Sequence, residues 1–535
     1  MKELAGTRGL IRLILRRDRF LLPLWILVPV FGVLNFLSAT ENLYPTAADR
    51  AKYAETTGTN SGFLAMFGPL YDTNTGAVVA QRIANAPLLL ALFSLLTVIR
   101  HTRTDEEHGR REVLGATAVG RHAFLAAALT VTFAANLLAA LIIGIGMSGR
   151  GQPTAGAFAL GFAFAGVGCL FAAVGGLAAQ LTFSAGAARG IALGVLGAAY
   201  LLRASGDAGG SGNSLSWLSW LSPIGWAHRV RPFADERWWV LALPIALVIV
   251  LSVAAMVLST RRDLGAGIVQ PKLGPASAAP ALRGPKGLAW RLHRGPLLAW
   301  TGGFLIFGLA LGGVAGGVGT LVEDNPDVGD LITRAGGQNE LVDAYLAAML
   351  SLMALVASGF TIQGALRLRA EEADKRAEPV LSTPVTRMNW LSSHLLFAIV
   401  GPVIALAALG LMVGLVHGID VGDVGGQVGR ALGGALIQLP AVWLLTGLTI
   451  AAYGWLPRAA PAVAWAALGV SLVCGQLGAM LQMSQGLRNV SPFTHIPRLP
   501  GGDFDALPLI VLLCIAAACV GVGMVAFRRR DVPAV

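Results

Sequence analysis

The chain has 535 residues, of which 55% are hydrophobic and 13% charged. A soluble domain carries about 25% charge, so the composition excludes an ordinary soluble enzyme and points to an all-α integral membrane protein. The net charge of +11 invites a nucleic-acid reading, but the basic residues lie between apolar runs, where they set orientation in a bilayer.

Apolar runs predict twelve spans, at 20–38, 83–99, 122–147, 156–180, 187–202, 238–258, 299–319, 344–366, 391–416, 431–452, 461–483 and 507–526. Most have the roughly 17–25 residues a crossing needs. The first run is not read as a signal peptide, because further spans follow and no convincing small-residue cleavage site does. With the N-terminus inside, Arg and Lys are in excess on the inside and Asp and Glu on the outside. The expected location is therefore a cell membrane with both termini cytoplasmic. The segment 203–237 fits least well, being placed outside although it carries Arg203, Arg229, Arg231 and Arg237. The excess of Arg over Lys resembles the proteins of high-GC bacteria. Cys169, Cys474, Cys514 and Cys519 all sit in apolar runs and read as small buried hydrophobes.

Residues 1–19 predict an amphipathic helix, with Arg8, Arg12, Arg16 and Arg19 on one face and Leu10, Ile11 and Ile14 on the other. Such a helix lies in the membrane interface as an elbow before the first span. Trp290–Arg294 repeats the device before the seventh span. Residues 39–82 predict a polar outer loop. Their counterpart at 320–343 is acidic, with Glu323, Asp324, Asp327, Asp330, Glu340 and Asp343. After the fifth span, SWLSWLSPIGW places Trp220, Ser222, Pro223 and Trp226 in an interfacial aromatic segment. Ser491-Pro492-Phe493 answers it in the second half, and both read as short helices dipping in from outside. Glycines four apart, such as Gly312/Gly316 and Gly313/Gly317, let spans approach closely.

One stretch occurs twice. TDEEHGRREVLGATAVGR at 104–121 returns 266 positions later as AEEADKRAEPVLSTPVTR at 370–387, without a gap. Each copy lies between two spans, and each half ends alike, in Arg261-Arg262-Asp263 and Arg529-Arg530-Asp531. Internal repetition at this scale predicts two copies of one unit. The expected organisation is residues 1–263 and 290–535 as six-span repeats. A proline-containing linker at 264–289 joins them. Both repeats start and finish on the same side, so they run parallel. Within each copy the acids precede the cations: Asp105, Glu106 and Glu107 before Arg110, with Glu112 beyond; Glu371 and Glu372 before Arg376, with Glu378 beyond. Acid-to-cation pairs in that order support a helix. The expectation is a short helix exposing its carboxylates to a partner.

Catalytic and metal chemistry are not expected. None of the five lysines follows a glycine, so the chain has no phosphate loop. The longest inside segment is about 40 residues, short of the roughly 50 a domain requires. No acid falls in the middle of a span, which counts against proton relays and intramembrane proteases. The eight histidines show no paired-ligand spacing.

The acidic helix followed by Glu378-Pro379-Val380-Leu381-Ser382-Thr383-Pro384 resembles the loop between spans two and three of type-2 ATP-binding-cassette exporter permeases. With the duplication, the elbows and the Ser-Pro segments, the chain resembles the branch described as exporters of polyketide antibiotics of the tetronasin type. The first copy departs from the pattern in having Ala118 where the second has Pro384. The resemblance implies a fused pseudo-dimer and two copies of a separate soluble ATPase, which would hold the ATP and Mg. The loops 104–121 and 370–387 would be coupling helices, and hydrophobic or amphiphilic cargo would pass between the halves. A proton-coupled drug exporter and a lipid exporter permease remain the competing readings.

Overall fold

The computed structural model describes residues 2–59, 61–210, 214–270, 274, 276–277, 279–282, 284–323, 338–478 and 483–531. The described residues are helical with no strands, and they gather into two compact units, 1–274 and 275–535. Among the described residues, eleven helices are long and apolar enough to cross a membrane.

Unit 1 begins with the short helix α1 (Thr7–Arg17), followed by α2 (Leu21–Leu43), α3 (Ala86–Glu107), α4 (Ala123–Ser148), α5 (Thr154–Leu181) and α6 (Ala185–Asp207). A short helix, α7 (Pro223–Arg229), precedes the last span, α8 (Trp238–Thr260). Local chemistry sets the boundaries. Ser184 caps α6 by accepting from the Ala187 N–H at 3.2 Å. Pro153 supplies an extended residue before α5. In α5, 78% of the apolar window is buried, against 17% in α8, so α5 is the axis of the unit. α4 runs against α5 so closely that a Cβ on Gly161 would collide with the Ala140 carbonyl oxygen. On α8, Ile245, Ile249, Val250 and Val253 face outward. That apolar surface suits lipid and would be a liability in water.

Unit 2 contains α9 (Pro285–Glu323), α10 (Gln338–Ala373), α11 (Arg387–Val421), α12 (Val424–Leu436), α13 (Leu439–Trp455), α14 (Ala460–Ser471) and α15 (Ala506–Arg529). Thr386 and Asp505 cap α11 and α15 through the N–H groups of Asn389 and Leu507. Gly422, at φ +79°, closes α11 in the left-handed conformation that glycine adopts without steric cost. Close approach again rests on small residues at four-residue spacing. Gly308 and Gly312 meet Leu409 and Val413, while Gly410, Gly414 and Gly418 meet Ala431, Val428 and Val424. The packing of Gly316 and Gly317 lies outside the described residues.

Several expectations change. Of the twelve predicted spans, the one at 461–483 is a shorter apolar helix, Ala460–Gln476. It leaves α geometry for a π segment at Leu472–Leu477, and residues 479–482 lie outside the described residues. The second elbow is not separate: Trp290–Arg294 belongs to α9, which continues through Pro296. Asp18 ends α1 in unit 1, whereas in α9 a buried histidine, His293, stacks on Phe397 and sits 3.0 Å from His394. The expected linker is shorter than 264–289. Ile268 and Val269 donate backbone hydrogen bonds to Gln180 and Leu181 of unit 1, and α9 starts at Pro285. The acidic stretch Glu323–Glu340 falls mostly outside the described residues. Asp343 is buried and pairs with Arg430. Finally, the arginines that disturbed the charge count are held inside unit 1. Arg203 is wholly buried and donates to the Ala65 and Met66 carbonyls at 3.1 and 3.0 Å. Arg229 lies 3.7 Å from Asp207, and Arg231 lies over the Tyr71 ring.

Gly161→Ala is expected to destabilise unit 1 by about 1–3 kcal/mol, the range for overpacking. Gly194, in α6, has nothing within 4 Å of a built Cβ, so Gly194→Ala is expected to be neutral or mildly stabilising. Thermal unfolding of both variants in detergent checks the contrast.

Candidate functional site: the duplicated loop

The helix predicted across 104–121 forms in two pieces. α3 widens to π geometry at Arg100–Thr104 and ends at Glu107. The chain turns at Gly109, φ +70°, and a short helix runs over Arg110–Gly115. The second loop repeats this. α10 ends at Ala373, the chain turns at Lys375, φ +58°, and a short helix runs over Ala377–Leu381. Lys375 is the counterpart of Gly109 in the gapless alignment, and it holds a conformation that L-residues usually avoid. The break shifts the acid–base pairing from four residues to five: Asp105 meets Arg110 at 2.9 Å, Glu106 meets Arg111 at 2.7 Å, and Glu371 meets Arg376 at 2.9 Å.

Four of the carboxylates expected to be exposed are buried, while Glu107, Glu112 and Glu378 are exposed. Asp105, Glu106, Glu371 and Glu372 are each less than 9% accessible, because each faces cations from its own unit. Glu106 accepts five hydrogen bonds. Arg262 grips both oxygens, at 2.6 and 2.8 Å. Arg103 adds one at 3.0 Å, Arg111 one at 2.7 Å, and the Gly265 N–H one at 2.7 Å. Arg262 also holds Gln180 Oε1, and Arg103 donates to the Gly265 and Ala266 carbonyls. Glu372 is gripped through both oxygens by Arg530, at 2.8 Å each. The Arg530 guanidinium lies 4.6 Å from the Tyr453 ring centroid and 5.0 Å from that of Phe527. The closing Arg-Arg-Asp of each half thus returns to lock that half's loop. Two repeated motifs, read separately in the sequence, form one interaction.

Unit 1 carries a further cluster that sequence reasoning missed. Arg17 of α1 donates to Asp105 at 2.6 Å. Asp18, only 1% accessible, lies 2.5 Å from His101 and 3.0 Å from Arg100. Burial pushes the Asp18 carboxyl up, but the His101 hydrogen bond and the neighbouring cations hold it below the ordinary range. Its stabilising contribution is therefore present at neutral pH and lost only as pH falls through that lowered value. Ala5 and Glu3 accept backbone hydrogen bonds from Gly120 and His122, so the elbow is fastened to both ends of the loop. Glu107 accepts from the Ala185 N–H at the start of α6, at 3.1 Å.

What remains exposed is the second piece of each loop: Arg110, Glu112 and Val113 in one, Arg376, Glu378, Thr383 and Pro384 in the other. Glu112 and Glu378 are aligned counterparts.

The Ser-Pro segments also share a construction. Ser222 donates to the Ala199 carbonyl at 2.5 Å and accepts from the Ile224 and Gly225 N–H groups, capping α7, which begins at Pro223. Trp226 donates to the Trp220 carbonyl at 2.6 Å. Ser491 donates to the Ser471 carbonyl at 3.1 Å, and Pro492–His495 forms one 3-10 turn.

The fold and this site define a multi-pass, all-α membrane protein whose buried charges brace the ends of its helices; among the described residues no acidic, histidine or cysteine cluster could hold a metal. Comparison with known proteins gives the class its function. The chain is 45% identical over 531 residues, 99% of this chain and 95% of the relative, to the multidrug efflux system permease protein Rv1217c of Mycobacterium tuberculosis (strain ATCC 25618 / H37Rv). Residues 282–528 match the family described as the C-terminal domain of multidrug efflux system permease Rv1217c. The chain belongs to this family of efflux permeases, as a transport subunit of a membrane system.

Arg530→Ala removes the arginine partner of a buried carboxylate, and the expected loss is about 3–5 kcal/mol. Arg262→Ala should cost less, because Arg103, Arg111 and the Gly265 N–H still serve Glu106. Thermal melting of the two purified variants ranks them.

Proposed function

We propose that this chain is the membrane-spanning half of an ATP-binding-cassette exporter. It moves hydrophobic or amphiphilic drug-like compounds out of a bacterial cell, in the manner of the polyketide-antibiotic branch it resembles. Two copies of a separate soluble ATPase, carrying ATP and Mg, dock on loops 104–121 and 370–387 from the cytoplasm, the side of both termini. The observation that carries this reading is the repeated clamp. In each unit a terminal arginine fixes the loop's glutamate inside, and the following short helix is left facing outward. That arrangement suits a surface on which a partner pushes. The absence of a Gly-Lys phosphate loop from the sequence puts the fuel on another chain.

The competing proton-driven reading has less support. Glu106 and Glu372, which lie in the last turn of the second span of each unit, are gripped by arginine, whereas a relay needs a carboxyl free to exchange its proton.

Docking is tested on exposed residues, because reversing Glu106 or Glu372 would damage the fold. Glu112→Lys with Glu378→Lys is expected to leave stability within about 0.5 kcal/mol. Efflux from vesicles holding the permease and its ATPase should fall about tenfold, the equivalent of 1.4 kcal/mol of coupling. Unchanged efflux in the folded double variant, or efflux that ignores ATP and collapses with the proton gradient, would overturn the reading.

A further inference from the structure

Unit 2 holds a cavity of about 490 Å³ at its Ser-Pro end, within the 300–1,000 Å³ typical of ligand pockets. The matching position in unit 1 retains about 40 Å³, because Phe67, Pro69 and Tyr71 of the 61–82 segment pack into it beside His228. With Ser222 set against Ser491, Ala227 and His228 correspond to Ile496 and Pro497, so both cavities occupy the same place in the repeat.

Three local features converge on the larger cavity. First, the tenth predicted span is interrupted: α12 ends at Leu436 and α13 starts at Leu439, with Pro440 in its first turn. Broken spans free backbone polar groups and recur at transport sites. Second, the side chain at that break is Gln438, buried to 2% accessibility and lining the cavity. Its Oε1 has no hydrogen-bond partner among the described residues, which is costly unless something else supplies a donor. Third, the opposite wall is the π segment Leu472–Leu477, a geometry that concentrates at functional sites. There Gln476 lines the cavity and donates to Ser351 at 3.1 Å.

The charge on the wall has one sign. Arg488 is half-buried, and its Nε lacks a partner among the described residues. Arg498 is exposed, and among the described residues no Asp or Glu lines the cavity. The rest of the wall combines an apolar part, with Ala344, Ala347, Phe493 and Ile496, and a polar part with Ser351, Gln485 and Thr494.

We infer that this cavity binds the polar head of an amphiphilic anion. Gln438 accepts a hydrogen bond from an N–H or O–H of the ligand, Arg488 and Arg498 face its negative group, and the apolar wall takes the start of its chain. Among the described residues the open site occurs in unit 2, because Phe67, Pro69 and Tyr71 fill the copy in unit 1. Naming the occupant as cargo rests on the export reading; the binding itself does not.

The probe is N-dodecanoylglycine, which carries an amide N–H, a carboxylate and an alkyl tail. It is titrated against the full chain in phosphatidylcholine nanodiscs, with no ATPase present. The expected result is saturable binding at one site per chain, at least tenfold weaker for the methyl ester of the probe. Gln438→Leu and Arg488→Ala should each weaken binding at least tenfold. Gln438→Leu should not lower the melting temperature, because the apolar replacement leaves no orphaned amide. Non-saturable partitioning, equal affinity of the ester, or parent-like binding by both variants would overturn the inference. Failure here leaves ATP-driven efflux untouched, and loss of ATP-driven efflux leaves this binding result standing.

Discussion

A carboxylate at the end of a spanning helix has to be solvated by something, and in both units that something is an arginine from the unit's own last residues. Removing a charged pair from water costs several kcal/mol per ion unless the geometry is good and the remaining lone pairs are used. The two sites meet the condition differently. Arg262 presents the planar fork that matches a carboxylate, one nitrogen to each oxygen, whereas Arg530 reaches both Glu372 oxygens through a single nitrogen. Around them, Glu106 collects three further donors, and Arg530 stacks on aromatic faces. Each clamp joins the second span of its unit to the unit's end. A loop held this way cannot shift without moving the helices on either side of it, which gives a push on the loop a route into the spans.

The two clamps are not equal, and the difference is chemical. In unit 1 the clamp sits in a field of charge: Arg103 and Arg111 on Glu106, Arg17 and Arg110 on Asp105, Arg100 and His101 on Asp18. The elbow is thereby welded to the loop. In unit 2 one arginine serves Glu372, and the elbow region is the uninterrupted start of α9, seated by the His293–His394 contact and Phe397. A polar network of many members resists partial opening, because breaking one bond leaves others desolvated. In unit 2 a single arginine nitrogen holds both Glu372 oxygens, so the larger polar network is that of unit 1.

Much of this was legible in the sequence. Eleven of the twelve spans predicted from hydrophobic run length fall on helices long and apolar enough to cross a membrane, because a bilayer of fixed thickness imposes a length on the chain. The gapless match of 104–121 with 370–387 exposed the duplication, and the Ser-Pro recurrence marked the other end of each unit. The error lay in the direction the carboxylates face. Spacing of four residues between Glu106 and Arg110 suggested a short helix exposing its carboxylates to a partner. Gly109 and Lys375 instead break the helix and turn the pairs inward. A glycine in the first copy was a signal for such a break; a lysine in the second was none, since its left-handed conformation follows from its surroundings. The partner of Glu106 could have been suspected. Arg-Arg-Asp recurs at an interval of 268, against 266 for the acids, so any contact made in one half is available in the other. Burial of Arg203 was illegible, because its partners are main-chain carbonyls with no identity in the sequence.

The Ser-Pro ends show how a duplicated scaffold can hold one site rather than two. Both units keep the serine that ties the short outer helix to a carbonyl of the preceding span, so the frame around each cavity is the same. What differs is the filling. In unit 1 the 61–82 segment is fastened by Arg203 to the Ala65 and Met66 carbonyls and by Gln81 to the Gly68 carbonyl, and its aromatic rings take up the space. In unit 2 the frame surrounds a broken span with a buried amide left without a protein partner. Buried polar groups without partners are eliminated cheaply by substitution, since an apolar residue of the same size removes the penalty. A buried glutamine that lines an open cavity together with two arginines is better understood as waiting for a ligand than as a packing fault.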